Sequence, residues 1–185
     1  MKTFTPALPA PLVASTDTSQ PGLLALLVML SGTFMVVLDF FIVNVAIPSI
    51  QRDMRASAAA LEWVVAGYGL ANAAMLIVGG RLGDMHGRRR VFGIGIAAFT
   101  AASAACGLAP DASTLVVARF AQGAAGALLQ PQVIAMLSAL YAGEQRAKAY
   151  AAYGLALGLA AASGQVVGGA LIHANWAGLG WRSCF

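Results

Sequence analysis

The sequence predicts an all-α protein, a polytopic transmembrane helix bundle of about five spans, and three observations carry that expectation. Hydrophobic residues make up 59% of the chain and charged residues only 10%, whereas a soluble domain carries about 25% charged residues. A globule of this composition could not cover itself with polar surface, and the mean hydropathy is +0.78. The apolar residues also fall in runs of about 20, the length that carries a helix across about 30 Å of hydrocarbon. Finally, the basic residues stand in short clusters between those runs. That placement argues against a nucleic-acid partner despite the net charge of +4 and pI near 9.5, because binding nucleic acid needs basic residues gathered on one polar face.

Residues 1–21, rich in Pro, Ser and Thr, read as a disordered tail. The first apolar run begins at Gly22 and passes through Asp39 to Pro48. With one upstream Lys and no small-residue cleavage site it reads as a retained span, not a signal peptide. The five spans are then about 22–48, 61–80, 91–107, 115–140 and 150–172, so residues 22–185 form the membrane domain. Loop charge orients them. Arg81, Arg88, Arg89, Arg90, Arg146 and Lys148 fall on one side, against Arg52, Arg55 and Arg182 on the other. The bias puts the N-terminus, with its tail, in the cytoplasm and makes the lipid bilayer the first partner. Trp63, Trp176 and Trp181 at the outer ends, with Tyr141 and Tyr150 at the inner ends, fit an aromatic belt.

Asp39 interrupts an apolar span well inside its ends. A charge near the bilayer centre costs about 2.5–3.5 kcal/mol on the insertion scale, so an acid retained there is a candidate proton carrier lining a cavity. A shorter span with Asp39 reaching outward is the alternative. Arg119, in the outer third of the fourth span, is its natural partner. By helical rise Asp39 lies roughly 13 Å below Pro48 and Arg119 roughly 10 Å below Ala112, a similar depth, and an intramembrane Arg needs a counter-charge. Arg119 snorkelling to the interface is the competing reading. Asn44, Gln122 (on the face of Arg119, at i+3) and Gln165 are further candidates for the polar wall of a cavity.

Gly80-Arg81-Leu82-Gly83-Asp84-Met85-His86-Gly87-Arg88-Arg89-Arg90 reads as a loop whose glycines permit a tight reversal between two helices and close backbone approach. Asp84 and Arg88, four apart, would share a face in a helical turn; on the residues alone the segment reads better as a positive-inside anchor. In the fifth span Gly154, Gly158, Ala161, Gln165 and Gly168 recur at helical spacing, a small-residue stripe suited to close helix packing. The second and fifth spans also share a Tyr-Gly-Leu-Ala stretch, at Tyr68 and at Tyr153, a weak internal echo. His86 and His173 fall on opposite sides of the membrane, and no HExxH, GxSxG or P-loop occurs, so the sequence does not read as an enzyme or an ATP-driven pump.

Taken together these residues resemble the N-terminal part of the major facilitator superfamily, in its drug:proton antiporter branch with fourteen spans. The first-span motif is matched by Leu38 to Pro48, with Phe41 where Thr is usual. The loop motif Gly-x-Leu-x-Asp-Arg-x-Gly-Arg-Arg falls on Gly80 to Arg89, with Met85 in place of a basic residue. The fourth-span motif Arg-x-x-Gln-Gly is Arg119 to Gly123, and the antiporter motif Gly-Pro-x-x-Gly-Gly is similar to Gly164-Gln165-Val166-Val167-Gly168-Gly169. Gln165 stands where Pro is usual, which removes the expected kink.

The resemblance implies an incomplete N-terminal half of that fold in a bacterial inner membrane. It implies export of small lipophilic or cationic substrates, driven by the proton gradient without a cofactor. Asp39 and Arg119 would couple protons, while Gly80, Gly83, Asp84, Gly87, Arg88 and Arg89 would form an inner gate. Since the resemblance implies two six-span halves around the pathway, a truncated or frameshifted product without transport activity is a second expectation. A small membrane-embedded interaction protein is a third.

Overall fold

A computed structural model describes residues 22–175 and 178–185; the predicted tail at 1–21 and Trp176 lie outside the described residues. Five long helices follow one another: α1 (Leu23–Met54), α2 (Ala58–His86), α3 (Arg88–Gly107), α4 (Ala112–Leu140) and α5 (Gly143–Ala174). A 3₁₀ turn at Gly180–Cys184 follows them. All five are long and apolar enough to cross a membrane, the shortest, α3, with 20 residues or about 30 Å of rise. Among the described residues there is no strand. This is a multi-pass membrane protein.

The helices run past the apolar runs at most ends because capping and turn chemistry, not hydropathy, stops them. Ser57 accepts a hydrogen bond from the Ala60 N–H at the start of α2, and Asp111 does the same for Thr114 at the start of α4, each satisfying a donor that the first helical turn leaves free. Arg55, in the left-handed conformation, ends α1. The largest departure from expectation is the segment Gly80–Arg90. It is not a loop: α2 continues through Gly80 and Gly83 to His86, and only Gly87, at φ 91°, separates it from α3. A positive φ is cheap for glycine and costly for other residues, so one residue makes the reversal, and the upstream glycines are left to do something else.

They let α2 and α4 approach. The carbonyl of Ala127, which Pro131 deprives of its i+4 N–H partner, lies against Gly79. The Gly83 Cα sits under the Gln132 carboxamide, and Gly123 of α4 lies against the backbone of Tyr68. Gln132 Nε2 then donates to the Gly79 carbonyl at 2.7 Å. Without a hydrophobic drive between helices in lipid, such backbone proximity with a few interhelical hydrogen bonds is what holds a bundle together.

With connections this short, successive helices run antiparallel. One end of the bundle carries the α1–α2 and α3–α4 turns and the 3₁₀ turn; the opposite, α2–α3 end carries the α2–α3 and α4–α5 turns. Helix α4 is the hub, packed on α2 and on α3, while α5 packs mainly on α1. One apolar cluster fills the α1–α2 end around Ile50, Leu61, Val64 and Leu115. A second fills the rest of the core around Met29, Phe92, Val133 and Leu137.

The predicted stripe on α5 is only partly the packed face. Gly164 and Gly168 lie against Leu38, Phe41 and Ile42 of α1, whereas a side chain at Gly154, Gly158 or Gly169 would meet nothing. The buried register of the helix runs through Ala160, Gly164 and Gly168, a face offset from the one the stripe suggested. The aromatic belt also needs correcting. Trp63 is exposed and stacks on Phe120, but Trp181 is buried, its Nε1–H donating to Asp53 at 2.9 Å. Arg146 donates to the carbonyls of Ser138 and Tyr141 at the end of α4, where a cation meets the helix's negative pole.

Candidate functional site

Between the two apolar clusters the core holds a charged network built from four helices. Asp39 of α1 and Arg119 of α4 are 5% and 0% exposed, and Arg119 Nη1 donates to Asp39 Oδ2 at 2.6 Å. The same nitrogen reaches Gln122 Oε1 at 2.7 Å, and Gln122 Nε2 closes the ring by donating to Asp39 Oδ1 at 2.7 Å. Helix α2 supplies a backbone acceptor, the Val64 carbonyl, 3.1 Å from Arg119 Nε, and α3 supplies Cys106, whose thiol donates to Gln122 Oε1 at 3.4 Å. The guanidinium carbon lies 4.2 Å from the centroid of the Tyr68 ring, a contact worth about 2 kcal/mol when desolvated. Tyr68 is fixed in turn by its hydroxyl, which donates to the Val36 carbonyl at 3.2 Å.

The local sequence makes this arrangement. Arg119 and Gln122, three apart on α4, project from one face, and Gly123 beside them removes the side chain that would hold α2 away. Two buried charges out of water survive only with near-ideal geometry and their remaining hydrogen-bonding groups met. Here both carboxylate oxygens are bonded, and within this network Nη2 of Arg119 is the buried side-chain atom left without a hydrogen-bond partner among the described residues. Neutralising Asp39 would remove the counter-charge while leaving the rest of the cage in place. The arrangement can therefore read the charge of one carboxyl as a change in the attachment of α1 to α4.

Two of the three polar candidates lie elsewhere. Gln122 is in the network, but Asn44 is exposed and donates to the carbonyls of Phe40 and Phe41 on its own helix. Gln165 is exposed on α5. Gly164 and Gly168 meet α1; Gly169 does not. At the α2–α3 end, Arg88 Nη2 and Asp84 Oδ1 pair at 3.2 Å, and Arg88 Nη1 also donates to the Ala135 carbonyl of α4 at 3.0 Å. Gly80 and Gly83 lie inside α2, Gly87 makes the turn, and Arg89 is exposed.

Sequence reasoning missed Tyr68, Cys106 and Gln132. Tyr68 stood in the Tyr-Gly-Leu-Ala echo, yet its telling feature was depth: tyrosine favours membrane interfaces, and one in mid-span needs a partner. Among the described residues no group of three or more His, Cys, Asp and Glu is placed to hold a metal ion.

A bundle of antiparallel apolar helices around a buried acid–arginine–amide network defines a multi-pass membrane protein with a polar centre. The sequence profile of the Major Facilitator Superfamily matches residues 29–185, and the chain belongs to that family. It is 43% identical over 161 residues to a probable actinorhodin transporter of Streptomyces coelicolor, covering 87% of this chain and 28% of that protein. It is 42% identical over 160 residues to a puromycin resistance protein of Streptomyces alboniger, covering 86% and 31%. With a tetracenomycin C resistance and export protein of Streptomyces glaucescens it shares 40% identity over 157 residues, covering 84% and 29%. The chain thus spans less than a third of the length of these curated relatives.

Proposed function

We propose that this sequence supplies the proton-coupling helices of a drug:proton antiporter that exports small lipophilic or cationic compounds. The observation that carries the reading is the buried Asp39–Arg119–Gln122 network, because ionisable residues held inside a membrane bundle mark proton and substrate pathways. The names of the relatives, exporters and resistance proteins for antibiotics, favour the same substrate class. Protonation of Asp39 would release Arg119 from its counter-charge, and deprotonation would restore the pair. One elementary charge crossing 100 mV is worth about 2.3 kcal/mol, enough to bias two arrangements of a helix bundle. Within this reading the basic end at Arg81–Arg90 and Arg146–Lys148 faces the cytoplasm of a bacterial inner membrane, and Asp84 with Arg88 braces an inner gate.

Fusing the chain to the remaining spans of a related exporter tests the assignment. Everted vesicles carrying the fusion should accumulate a lipophilic cationic dye when a proton gradient with an acidic lumen is imposed. Asp39→Asn, isosteric but unable to carry a proton, should abolish gradient-driven movement, while Asp84→Asn should retain part of it. Full efflux by Asp39→Asn would refute the role of Asp39.

A further inference from the structure

Helices α1 and α3 barely touch. Between them lies a cleft of about 300 Å³ that reaches Asp39, lined by Met35 and Leu38 of α1 and by Phe99 and Ser103 of α3. Cys184 and Phe185 form one of its walls. The 3₁₀ turn therefore occupies a gap that the five helices leave open, at the α1–α2 end of the bundle.

Its attachments run to both sides of that gap. Toward α1, Trp181 Nε1 donates to Asp53 Oδ2 at 2.9 Å, and Arg182 Nη2 stands 3.9 Å from the same oxygen. Toward α3, Ser103 Oγ donates to the Phe185 carbonyl at 2.8 Å, and Arg182 Nη1 donates to the carbonyls of Gly107 at 2.9 Å and Ala109 at 2.7 Å. Those carbonyls lie at or just past the C-terminus of α3, where a helix leaves acceptors unpaired and presents its negative pole. A guanidinium, with its fork of donors, meets both needs at once. The apolar side of the turn faces inward: Trp181 is 3% exposed, it meets Phe185 edge to face at 6.2 Å, and the Phe185 ring lies 5.7 Å from the Arg119 guanidinium carbon. Burial, and then the Asp39 carboxylate, push the Cys184 thiol up to about 11.

We infer that residues 181–185 are a wedge that seals the α1–α3 gap at this end and shields the Asp39–Arg119–Gln122 network from it, with Arg182 as the latch. A seal held by a few side-chain contacts can open without unfolding the helices it bridges. Among the described residues of the wedge, Arg182 is the one side chain whose polar contacts reach both sides of the gap, so access to the network from this end is set by whether Arg182 is seated.

Cys106 provides the probe. It is fully buried, bonded to Gln122, and one of only two cysteines in the chain, so Cys184→Ser leaves it as the sole thiol. The full chain carrying Cys184→Ser, reconstituted in lipid nanodiscs, should react slowly with a maleimide. Adding Arg182→Ala should raise the labelling rate by at least roughly tenfold, as expected when a local closing equilibrium is lost. Lys148→Ala, which breaks the exposed Glu144–Lys148 pair at the opposite end, should leave the rate at the Cys184→Ser level. An unchanged rate in Arg182→Ala would overturn the seal. So would equal acceleration by Lys148→Ala, which would show general loosening in place of a latch. If Arg182→Ala does not fold, Arg182→Gln, neutral and similar in reach, carries the test by the same criteria.

Discussion

Two acid–arginine pairs of the same chemistry, Asp39–Arg119 and Asp84–Arg88, sit in opposite settings in the molecule. Asp39 and Arg119 meet at 2.6 Å with side chains 6% and 0% exposed; Asp84 and Arg88 meet at 3.2 Å with side chains 66% and 39% exposed. In the first pair the charges have lost their water, so each depends on the other and on Gln122 and Val64 for everything that water supplied. In the second pair solvent screens the attraction and replaces a missing partner at little cost. The comparison teaches that the ion pair itself is not the functional unit. In the proposed function, what would make the buried pair sensitive to a single proton is the absence of any substitute for it.

The largest expected effect breaks the two pairs in parallel. Asp39→Ala leaves Arg119 buried without a counter-charge and should destabilise the bundle by about 3–5 kcal/mol. Asp84→Ala should cost about 0.2–1 kcal/mol, because Arg88 keeps solvent and the Ala135 carbonyl. Denaturant titration in detergent micelles, followed by far-UV circular dichroism, measures both. Similar costs would mean that burial does not distinguish the pairs.

How much of this was legible in the sequence follows the same division. Span number and helical class were readable because hydropathy over 20 residues is an additive property of the chain. Asp39 and Arg119 stood out because charge inside an apolar run is rare, and their depths came from counting rise. Partners that are not anomalous in composition were invisible: Cys106 looked like any apolar residue, and the Val64 acceptor is backbone. The glycines at 80 and 83 were ambiguous, because glycine signals both a turn and a close helix approach, and only the facing Gln132 and Pro131 decide for the approach. On α5 a stripe at i, i+4 spacing recorded a face without saying whether another helix covered it.

Those glycines give the second way to sharpen the contrast between filled and open surroundings. A Cβ at Gly123 would press on the Tyr68 backbone, which cannot swing aside, whereas a Cβ at Gly158 would meet nothing. Gly123→Ala should therefore destabilise by about 1–3 kcal/mol through overpacking. Gly158→Ala should be neutral or stabilising by up to about 1 kcal/mol, since alanine loses less backbone entropy in a helix. The same micelle titration reads both, and opposite signs are the expected outcome. Equal destabilisation would mean that the Gly158 face is packed.

The smallest effect concerns Asp111, an exposed carboxylate that shows where exposure alone is a poor guide. Its Oδ1 accepts the Thr114 backbone N–H at 2.8 Å and its Oδ2 accepts the Thr114 hydroxyl at 3.2 Å, at the positive N-terminal pole of α4. The Thr114 N–H, foremost, holds the Asp111 carboxyl below its ordinary range. A group that titrates lower when folded than when unfolded contributes stability that is fully present above its unfolded value. That contribution falls away as pH drops through the folded-state value. Acidification should therefore loosen the start of α4 well below neutral pH, with no change between neutral and mildly acidic conditions. Asp111→Asn keeps a capping oxygen but cannot titrate, so it should flatten this part of the acid limb without lowering stability much at neutral pH. Asp111→Ala should lower stability at neutral pH and remove the same pH dependence. Thermal melts of the three proteins in micelles across the acidic range decide it. If wild type and Asp111→Asn lose stability along the same curve, the Asp111 carboxylate is no more coupled to folding than a freely solvated one.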